Sequence, residues 1–169
     1  MIFLETERLI LRSLEEKDAE IMYDYRNNPI CSKYQRDQTK DLAGIKDLID
    51  RRENDKISTD SAFMAAVALK DSDEMIGEIV VMPNDMAITL GYTFSYKYHR
   101  KGYAYEALSA FTDMLHEKYP HWDFICFAEP ENIPSIGLLK KLEYEDYGYA
   151  EKINSRVFGK WIKDPNNVW

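Results

Sequence analysis

The stretch from Tyr98 to Ala107 reads YHRKGYAYEA and lies where an apolar strand gives way to a long helix. The hydrophobic pattern predicts the strand over residues 86–94 and the helix over residues 102–118. The start of a helix exposes unpaired backbone N–H groups and a partial positive charge, and it can therefore hold a diphosphate. Gly102 permits close approach of the backbone to a ligand, and the pair Arg100-Lys101 adds positive charge beside it.

A second segment, residues 132–144, strengthens this interpretation. It follows a buried strand predicted over residues 124–128 and contains Asn132 and Ser135 at its start. The order of strand, glycine turn, helix, strand, Asn-x-x-Ser and helix allows two strands to splay, so that an extended ligand arm can pair with their free edges. Each segment alone also has an ordinary structural explanation, since a basic turn before a helix is common and Ser135 is a typical helix N-cap. The single glycine is neither a Rossmann fingerprint nor a Walker loop.

The rest of the chain predicts an α/β fold with a mixed sheet and no linker, so that residues 1–169 form a single domain. Strands are predicted over residues 3–14, 62–69, 75–82, 86–94, 124–128, 144–150 and 156–162, with a turn over residues 83–85. Helices are predicted over residues 17–26, 42–54, 102–118 and 135–141, with an irregular segment over residues 30–40.

Composition narrows the possible functions. The formal charge of -8 and the pI near 5.0 argue against broad nucleic-acid binding, which requires a basic face. No apolar run approaches the roughly 18 residues of a membrane span. The N-terminus lacks the basic and apolar segments of a signal peptide, so we expect a cytoplasmic protein without a membrane partner. Two cysteines, Cys31 and Cys126, and three histidines fit no metal-ligand spacing, so we expect no metal.

The loop around Gly102 resembles the acyl-CoA pyrophosphate loop of the GNAT N-acetyltransferases, whose pattern is Gln/Arg-x-x-Gly-x-Gly/Ala. His99, Gly102 and Ala104 take the first, fourth and sixth positions of that pattern. Residues 132–144 are similar to a later motif of the family. The resemblance implies a mostly antiparallel central sheet with helices on both faces and a splayed cofactor cleft.

One branch of the family matches further segments. The opening LETERLILR at residues 4–12 resembles the ribosomal-protein N-terminal (alanine) acetyltransferases, as do Ile76-Gly77 and Leu90-Gly91-Tyr92. The likeness to the branch therefore covers nearly the whole chain through the order and spacing of its motifs.

Three residues depart from the family pattern. His99 replaces the usual Gln or Arg near the phosphates. Glu143 stands where the branch usually has Gly, and a left-handed backbone there would carry a cost. Leu139 takes the position where many GNAT enzymes, though not this branch, have a Tyr that protonates the leaving thiolate. Another proton donor is then required.

The resemblance implies direct transfer of an acetyl group from acetyl-CoA to an amine in a ternary complex. The acceptor is a protein N-terminus or a small amine, and the protein is a monomer or a homodimer. The implied cofactor-binding residues are Tyr92, Thr93, Phe94, His99, Arg100, Lys101, Gly102, Tyr103, Ala104, Tyr105 and Asn132.

Three catalytic tasks follow from that reaction. Backbone N–H groups of residues 92–94 are the implied donors to the oxyanion. Ser135 is the candidate donor to the thiolate, and Asn132 is expected to orient the cofactor arm or a bound water. A carboxylate can take the amine proton through water, and the candidates, none of them preferred, are Glu78, Glu129 and Glu131.

The acceptor side is expected over residues 17–54. Its candidate lining aromatics are Tyr25, Tyr34, Tyr92 and Tyr96. Two alternatives to an enzyme stay open, namely a CoA-binding regulatory or interaction module without turnover, and a protein that binds another nucleotide or diphosphate. The missing multi-glycine fingerprint disfavours the second.

Overall fold

The computed structural model describes residues 1–167 of the chain. Its strands are β1 (Ile2–Glu5), β2 (Leu9–Arg12), β3 (Phe63–Leu69), β4 (Met75–Asn84), β5 (Ala87–Phe94), β6 (Asp123–Ala128), β7 (Glu145–Ala150) and β8 (Ser155–Lys160). Its α-helices are α1 (Ala19–Arg26), α2 (Pro29–Ser32), α3 (Leu42–Arg52), α4 (Tyr103–Lys118) and α5 (Ile133–Lys141). None of the helices in residues 1–167 has the length and apolarity needed to cross a membrane.

The eight strands form one sheet in the order β1-β2-β3-β4-β5-β6-β8-β7. Neighbouring strands are antiparallel everywhere except at β5 and β6, which run parallel. The sheet is therefore mixed and mostly antiparallel, which confirms the predicted fold class.

Helices cover both faces of this sheet. Alternate residues of β3 point to opposite sides, so that Val67 belongs to a core with Phe111 of α4, while Met64 belongs to a core with Met22 of α1 and Ile45 of α3. These side chains are at most 3% exposed. The α4 face carries the larger core, which also contains Cys126, so the strand predicted over residues 124–128 is buried there.

The N-terminal segment corrects one prediction. Residues 3–14 do not form one strand, because the polar run after Glu5 turns the chain back and makes β1 and β2 an antiparallel hairpin. Thr6 closes this turn, since its N–H donates to the Leu9 carbonyl at 2.9 Å and its hydroxyl accepts from the Leu9 N–H at 3.1 Å.

Two further boundaries differ from the prediction. β4 continues through Pro83 and Asn84, and the reversal lies at Asp85 and Met86, whose φ angles of 49° and 64° are those of a two-residue hairpin. The segment 30–40 is not wholly irregular, since α2 begins at Pro29 with the Asn28 side chain accepting from the Ile30 N–H at 2.9 Å.

The parallel strands β5 and β6 pair with each other only at their N-terminal ends. The register pairs are Ala87 with Asp123, Ile88 with Phe124, and Thr89 with Ile125. Beyond them β5 keeps its pairing with β4 up to Phe94, and β6 keeps its pairing with β8 up to Ala128. The two strands therefore diverge with unpaired facing edges, which is the splayed cleft that the resemblance implied.

Candidate functional site

The divergence of β5 and β6 opens a cavity of about 920 Å³, within the roughly 300–1,000 Å³ of small-molecule sites. Its walls are β5, the loop before α4, the end of β6 and the start of α5. The predicted residues that line it are Tyr92, Thr93, Phe94, His99, Arg100, Gly102, Tyr103, Ala104, Tyr105, Asn132 and Ser135. Lys101 does not line it, because its exposed side chain lies over the Tyr98 ring with Nζ 5.7 Å from the ring centroid.

The loop before α4 presents a row of free backbone donors. Within residues 1–167, the N–H groups from Arg100 to Tyr105 donate to no protein acceptor, and the Glu106 N–H is the first to bond back, to the Gly102 carbonyl at 3.0 Å. Arg100 and Gly102 have φ angles of 62° and 80°, and such alternation of left-handed and right-handed residues turns successive N–H groups into one concavity. At the start of a 16-residue helix, this concavity fits an anionic diphosphate.

The hairpin turn between β1 and β2 holds this loop in place. Arg8 donates from Nη1 to the Lys101 carbonyl at 3.0 Å, and its guanidinium carbon lies 4.2 Å from the Tyr103 ring centroid. The Glu106 carboxylate accepts from the Thr6 hydroxyl at 2.6 Å and from the Arg8 N–H at 3.0 Å. Partial burial opposes ionisation of Glu106, but these hydrogen bonds outweigh it and lower the pKa of the carboxyl. Sequence reasoning had matched residues 4–12 to the family but had given Arg8 no role.

His99 is engaged at the end of β5. Its Nε2 lies 2.8 Å from the Phe94 carbonyl, and since a carbonyl only accepts, Nε2 carries the proton. The same carbonyl accepts from the Cys31 thiol at 3.3 Å. The imidazole therefore braces the strand beside the loop, and its Nε2 proton is engaged by the protein.

Successive residues of β5 direct their backbone N–H and C=O groups alternately toward β4 and toward the cleft. The Ser95 N–H donates to the Ile76 carbonyl at 2.8 Å, so the alternation of antiparallel pairing turns Thr93 toward β4 as well. Tyr92 and Phe94 then face the cleft, and the Tyr92 carbonyl accepts there from Gln35 Nε2 at 3.1 Å. Of the three predicted oxyanion donors, Tyr92 and Phe94 have an N–H aimed into the cavity.

Asn132, rather than Ser135, caps α5. The helix begins at Ile133, and the Asn132 side-chain oxygen accepts from the Ser135 N–H at 3.4 Å. This excludes the N-cap explanation of Ser135, because its hydroxyl is not used as a cap. The hydroxyl instead lies 2.7 Å from the Tyr92 phenol oxygen, and burial raises the pKa of that phenol well above its usual value.

One of the three candidate carboxylates lines the cavity. Glu129 does so, and it accepts from Arg36 Nη2 at 3.0 Å and from Asn154 Nδ2 at 3.3 Å. Glu78 is 1% exposed and is bound by the guanidinium of Arg26. It lies outside the cavity, which excludes it as the base.

Glu131 and the four candidate tyrosines also divide into residues that line the cavity and residues that do not. The Glu131 side chain does not line the cavity, and its backbone carbonyl accepts from the Tyr34 hydroxyl at 3.1 Å. Tyr34 and Tyr92 line the cavity, as the sequence analysis expected. Tyr25 is instead fully buried in the core with Met22 and Ile45, and the Tyr96 hydroxyl donates to Asp24 at 3.4 Å.

Comparison with known proteins places the chain in a family. Residues 8–145 match the acetyltransferase (GNAT) domain. This chain is a GNAT acetyltransferase. The uncharacterized N-acetyltransferase p20 of Bacillus licheniformis is 31% identical to it over 167 residues, which cover 94% of this chain and 93% of that protein.

Solved GNAT structures share the fold. An acetyltransferase of the family from Bacillus anthracis superposes with a TM-score of 0.80 at 24% identity, over 94% of this chain and 96% of that one. A ribosomal-protein-S5-alanine acetyltransferase from Vibrio fischeri superposes with a TM-score of 0.75 at 19% identity, over 97% of this chain and 98% of that one. The family match and the relatives make this GNAT protein an acetyl-CoA-dependent N-acetyltransferase.

Proposed function

We propose that the diphosphate of acetyl-CoA binds the free N–H groups of residues 100–105 and that its thioester arm lies between β5 and β6. The observation that carries this proposal is the junction of the two features, since the row of free donors opens directly onto the unpaired strand edges. Arg100 and Lys141, which line the same end of the cavity, add positive charge near the phosphates.

The acetyl group then passes directly to an amine. The amine nitrogen attacks the thioester carbon, and the oxyanion that forms accepts from the Tyr92 N–H, a contact worth roughly 3–4 kcal/mol in comparable sites. The C–S bond breaks, and the Ser135 hydroxyl donates to the departing sulfur. Glu129, through water, takes the proton that the nitrogen loses.

A cysteine intermediate is disfavoured by the state of both thiols. Burial raises the pKa of Cys31 and raises that of Cys126 to about 12, so that neither is a thiolate at neutral pH. A covalent acyl-cysteine would require the thiolate as its nucleophile, and direct transfer does not.

The charges at the acceptor end favour an acceptor with a single amine. Among the described residues that line the cavity, Glu129 is the one carboxylate, and Arg36 already neutralises it. A polyamine would leave further ammonium groups without partners, whereas the N-terminus of a peptide brings one amine. We therefore place a protein or peptide N-terminus ahead of polyamines as the acceptor.

The test is calorimetric titration of acetyl-CoA and CoA into the wild type and Gly102→Glu. The glutamate adds a side chain and a negative charge at a left-handed position of the loop, so binding should be lost. Gly137→Glu is the matched control, because Gly137 is exposed on α5 and a Cβ added there would meet no atom within 4 Å. Absence of binding to the folded wild type, or equal binding to Gly102→Glu, would overturn the assignment.

Turnover separates an enzyme from a binding module. With acetyl-CoA bound, the wild type should release CoA in proportion to added peptide amine, and mass spectrometry should find one acetyl group per acceptor. Tight binding without release of CoA across a panel of amines would support the regulatory module instead.

A further inference from the structure

We propose that the Tyr92 hydroxyl is a positioning group for the acyl transfer, which directs the Ser135 hydroxyl proton at the leaving sulfur. This inference rests on the proposed function and adds a residue on the opposite wall of the cleft. The contact that carries it joins β5 to the first turn of α5, with 2.7 Å between the two hydroxyl oxygens.

The Ser135 hydroxyl is free for this task. Asn132 supplies the helix cap, and within residues 1–167 the Tyr92 phenol is the one hydrogen-bond partner of Ser135 Oγ. Leu139 lies one helical turn further on the same face and is fully buried, so the neighbouring turn supplies no donor. Ser135 is therefore the hydroxyl donor that α5 offers to the cavity beside β5.

One hydrogen atom lies between the two oxygens, and its position decides what Ser135 can do. A phenol is intrinsically a stronger acid than an aliphatic hydroxyl, and burial weakens both groups as acids, so Tyr92 is the better donor and Ser135 the better acceptor. When Tyr92 donates, the Ser135 proton is left for another acceptor. A hydroxyl that accepts one hydrogen bond also donates a stronger one.

The chemistry needs only a hydrogen bond at the sulfur. As the tetrahedral intermediate collapses, the C–S bond breaks and its electron pair stays on sulfur. A thiol with a pKa near 8.5 is a stronger acid than serine, so the Ser135 proton stays on oxygen and stabilises the thiolate. The proton released by the amine nitrogen balances the reaction, on the thiol or in solvent.

The first test needs CoA binding but no acetylation. The pKa of the bound CoA thiol, read from thiolate absorbance against pH, should be lower than that of free CoA in the wild type. Tyr92→Phe and Ser135→Ala should each raise it by about 1, while Ser135→Thr, which keeps the hydroxyl, should not. Tyr147→Phe is the control, since its hydroxyl bonds Glu145 at 3.1 Å outside the cavity.

The second test is a double-mutant cycle on kcat. Tyr92→Phe and Ser135→Ala should each lower kcat about tenfold with little change in KM for acetyl-CoA, and the double variant should be no slower than Ser135→Ala. A bound thiol pKa equal in wild type and Tyr92→Phe, or additive losses in the double variant, would overturn the inference. A Tyr92-dependent thiol pKa in a protein that acetylates no amine would instead keep the contact from Tyr92 through Ser135 to the sulfur and refute the transferase mechanism.

Discussion

Arg8 Nε lies 2.7 Å from Glu106 Oε1, across 98 positions of sequence. The contact joins the β1–β2 turn to the first turn of α4, on which the free backbone donors lie. A second bond from Arg8 to the Lys101 carbonyl fixes the loop itself. The N-terminal hairpin thus acts as a clamp on the cofactor loop, although it lies outside the cavity.

This clamp should matter more for cofactor binding than for stability. We expect Arg8→Ala to raise the Kd for acetyl-CoA about three- to tenfold, because the loop loses its brace and must be ordered by the ligand. Calorimetry measures the change. Arg156→Ala is the control, since it removes an equally short ion pair with Asp146 on β7 and β8. Equal affinities in wild type and Arg8→Ala would show that the loop orders itself.

Arg36 should set the preference of the enzyme between acceptors with one amine and acceptors with two. Arg36→Gln leaves the Glu129 carboxylate without its cationic partner, which is 3.0 Å away in the wild type. The ratio of kcat/KM for a diamine to that for a peptide amine should then rise about three- to tenfold. Steady-state kinetics on both acceptors gives this ratio. Lys33→Gln, an exposed lysine nearby that does not line the cavity, should leave it unchanged.

The backbone of Glu143 adopts a conformation that costs folding free energy, and a glycine at this position would remove that cost. Its φ is 68°, so the turn that the missing glycine put in doubt does form, with the glutamate in the costly left-handed conformation. It closes α5, with the Glu143 and Tyr144 N–H groups donating to the Lys140 and Leu139 carbonyls at 3.0 Å each. Because the side chain is exposed, Glu143→Gly should raise the free energy of unfolding by about 1 kcal/mol.

Urea denaturation measures this gain. Glu145→Gly provides a control of opposite sign, since Glu145 is exposed in an extended strand and glycine there should lower the free energy of unfolding by about 0.5–1 kcal/mol. A loss of stability in Glu143→Gly would mean that the glutamate makes a compensating contact.

Asp73 should contribute to the decrease in the free energy of unfolding at acid pH. Burial opposes its ionisation, but hydrogen bonds from Lys17 and from Arg12 Nε, the latter at 2.8 Å, prevail and lower its pKa. A lowered pKa in the folded state adds stability above the unfolded value of about 3.9, and that stability is lost as the pH falls through the folded pKa. The contribution should therefore be full at pH 7 and should fade below about pH 4.

Asp73→Asn isolates this contribution. Asparagine tolerates the left-handed φ of 58° at this position, so the charge is the main change. Urea unfolding from pH 3 to 7 should show the variant less stable at pH 7 and the two curves converging in acid. Asp71→Asn, an exposed neighbour, should follow the wild type throughout.

Local sequence pattern predicted most of the features that depend on neighbouring residues. The glycine turn at Gly102 and the helix after it were predicted within one residue. The N-cap of α5 was placed three residues too late, at Ser135 instead of Asn132, because both are good caps and only the backbone geometry separates them.

Contacts between distant segments could not be read in this way. The packing of α5 and α1 against the sheet brings Tyr92 to Ser135 and buries Glu78 against Arg26, and periodicity contains no information about such pairs. For that reason Glu78 resembled a cleft carboxylate in the sequence, and Arg8 resembled an ordinary surface charge.

The short junction of β5 and β6 has a mechanical consequence. β5 pairs with β4 at eight positions and β6 with β8 at five, but β5 and β6 share only three. The sheet is in effect two plates, β1–β5 and β6–β8, joined along a short seam and by the crossover helix α4. With the thioester arm of acetyl-CoA in the gap, as proposed, the arm would offer hydrogen-bond partners to the free strand edges and would serve as a ninth strand. The angle and stiffness between the plates would then be properties of the loaded enzyme, and each turnover would remove and rebuild part of its own sheet.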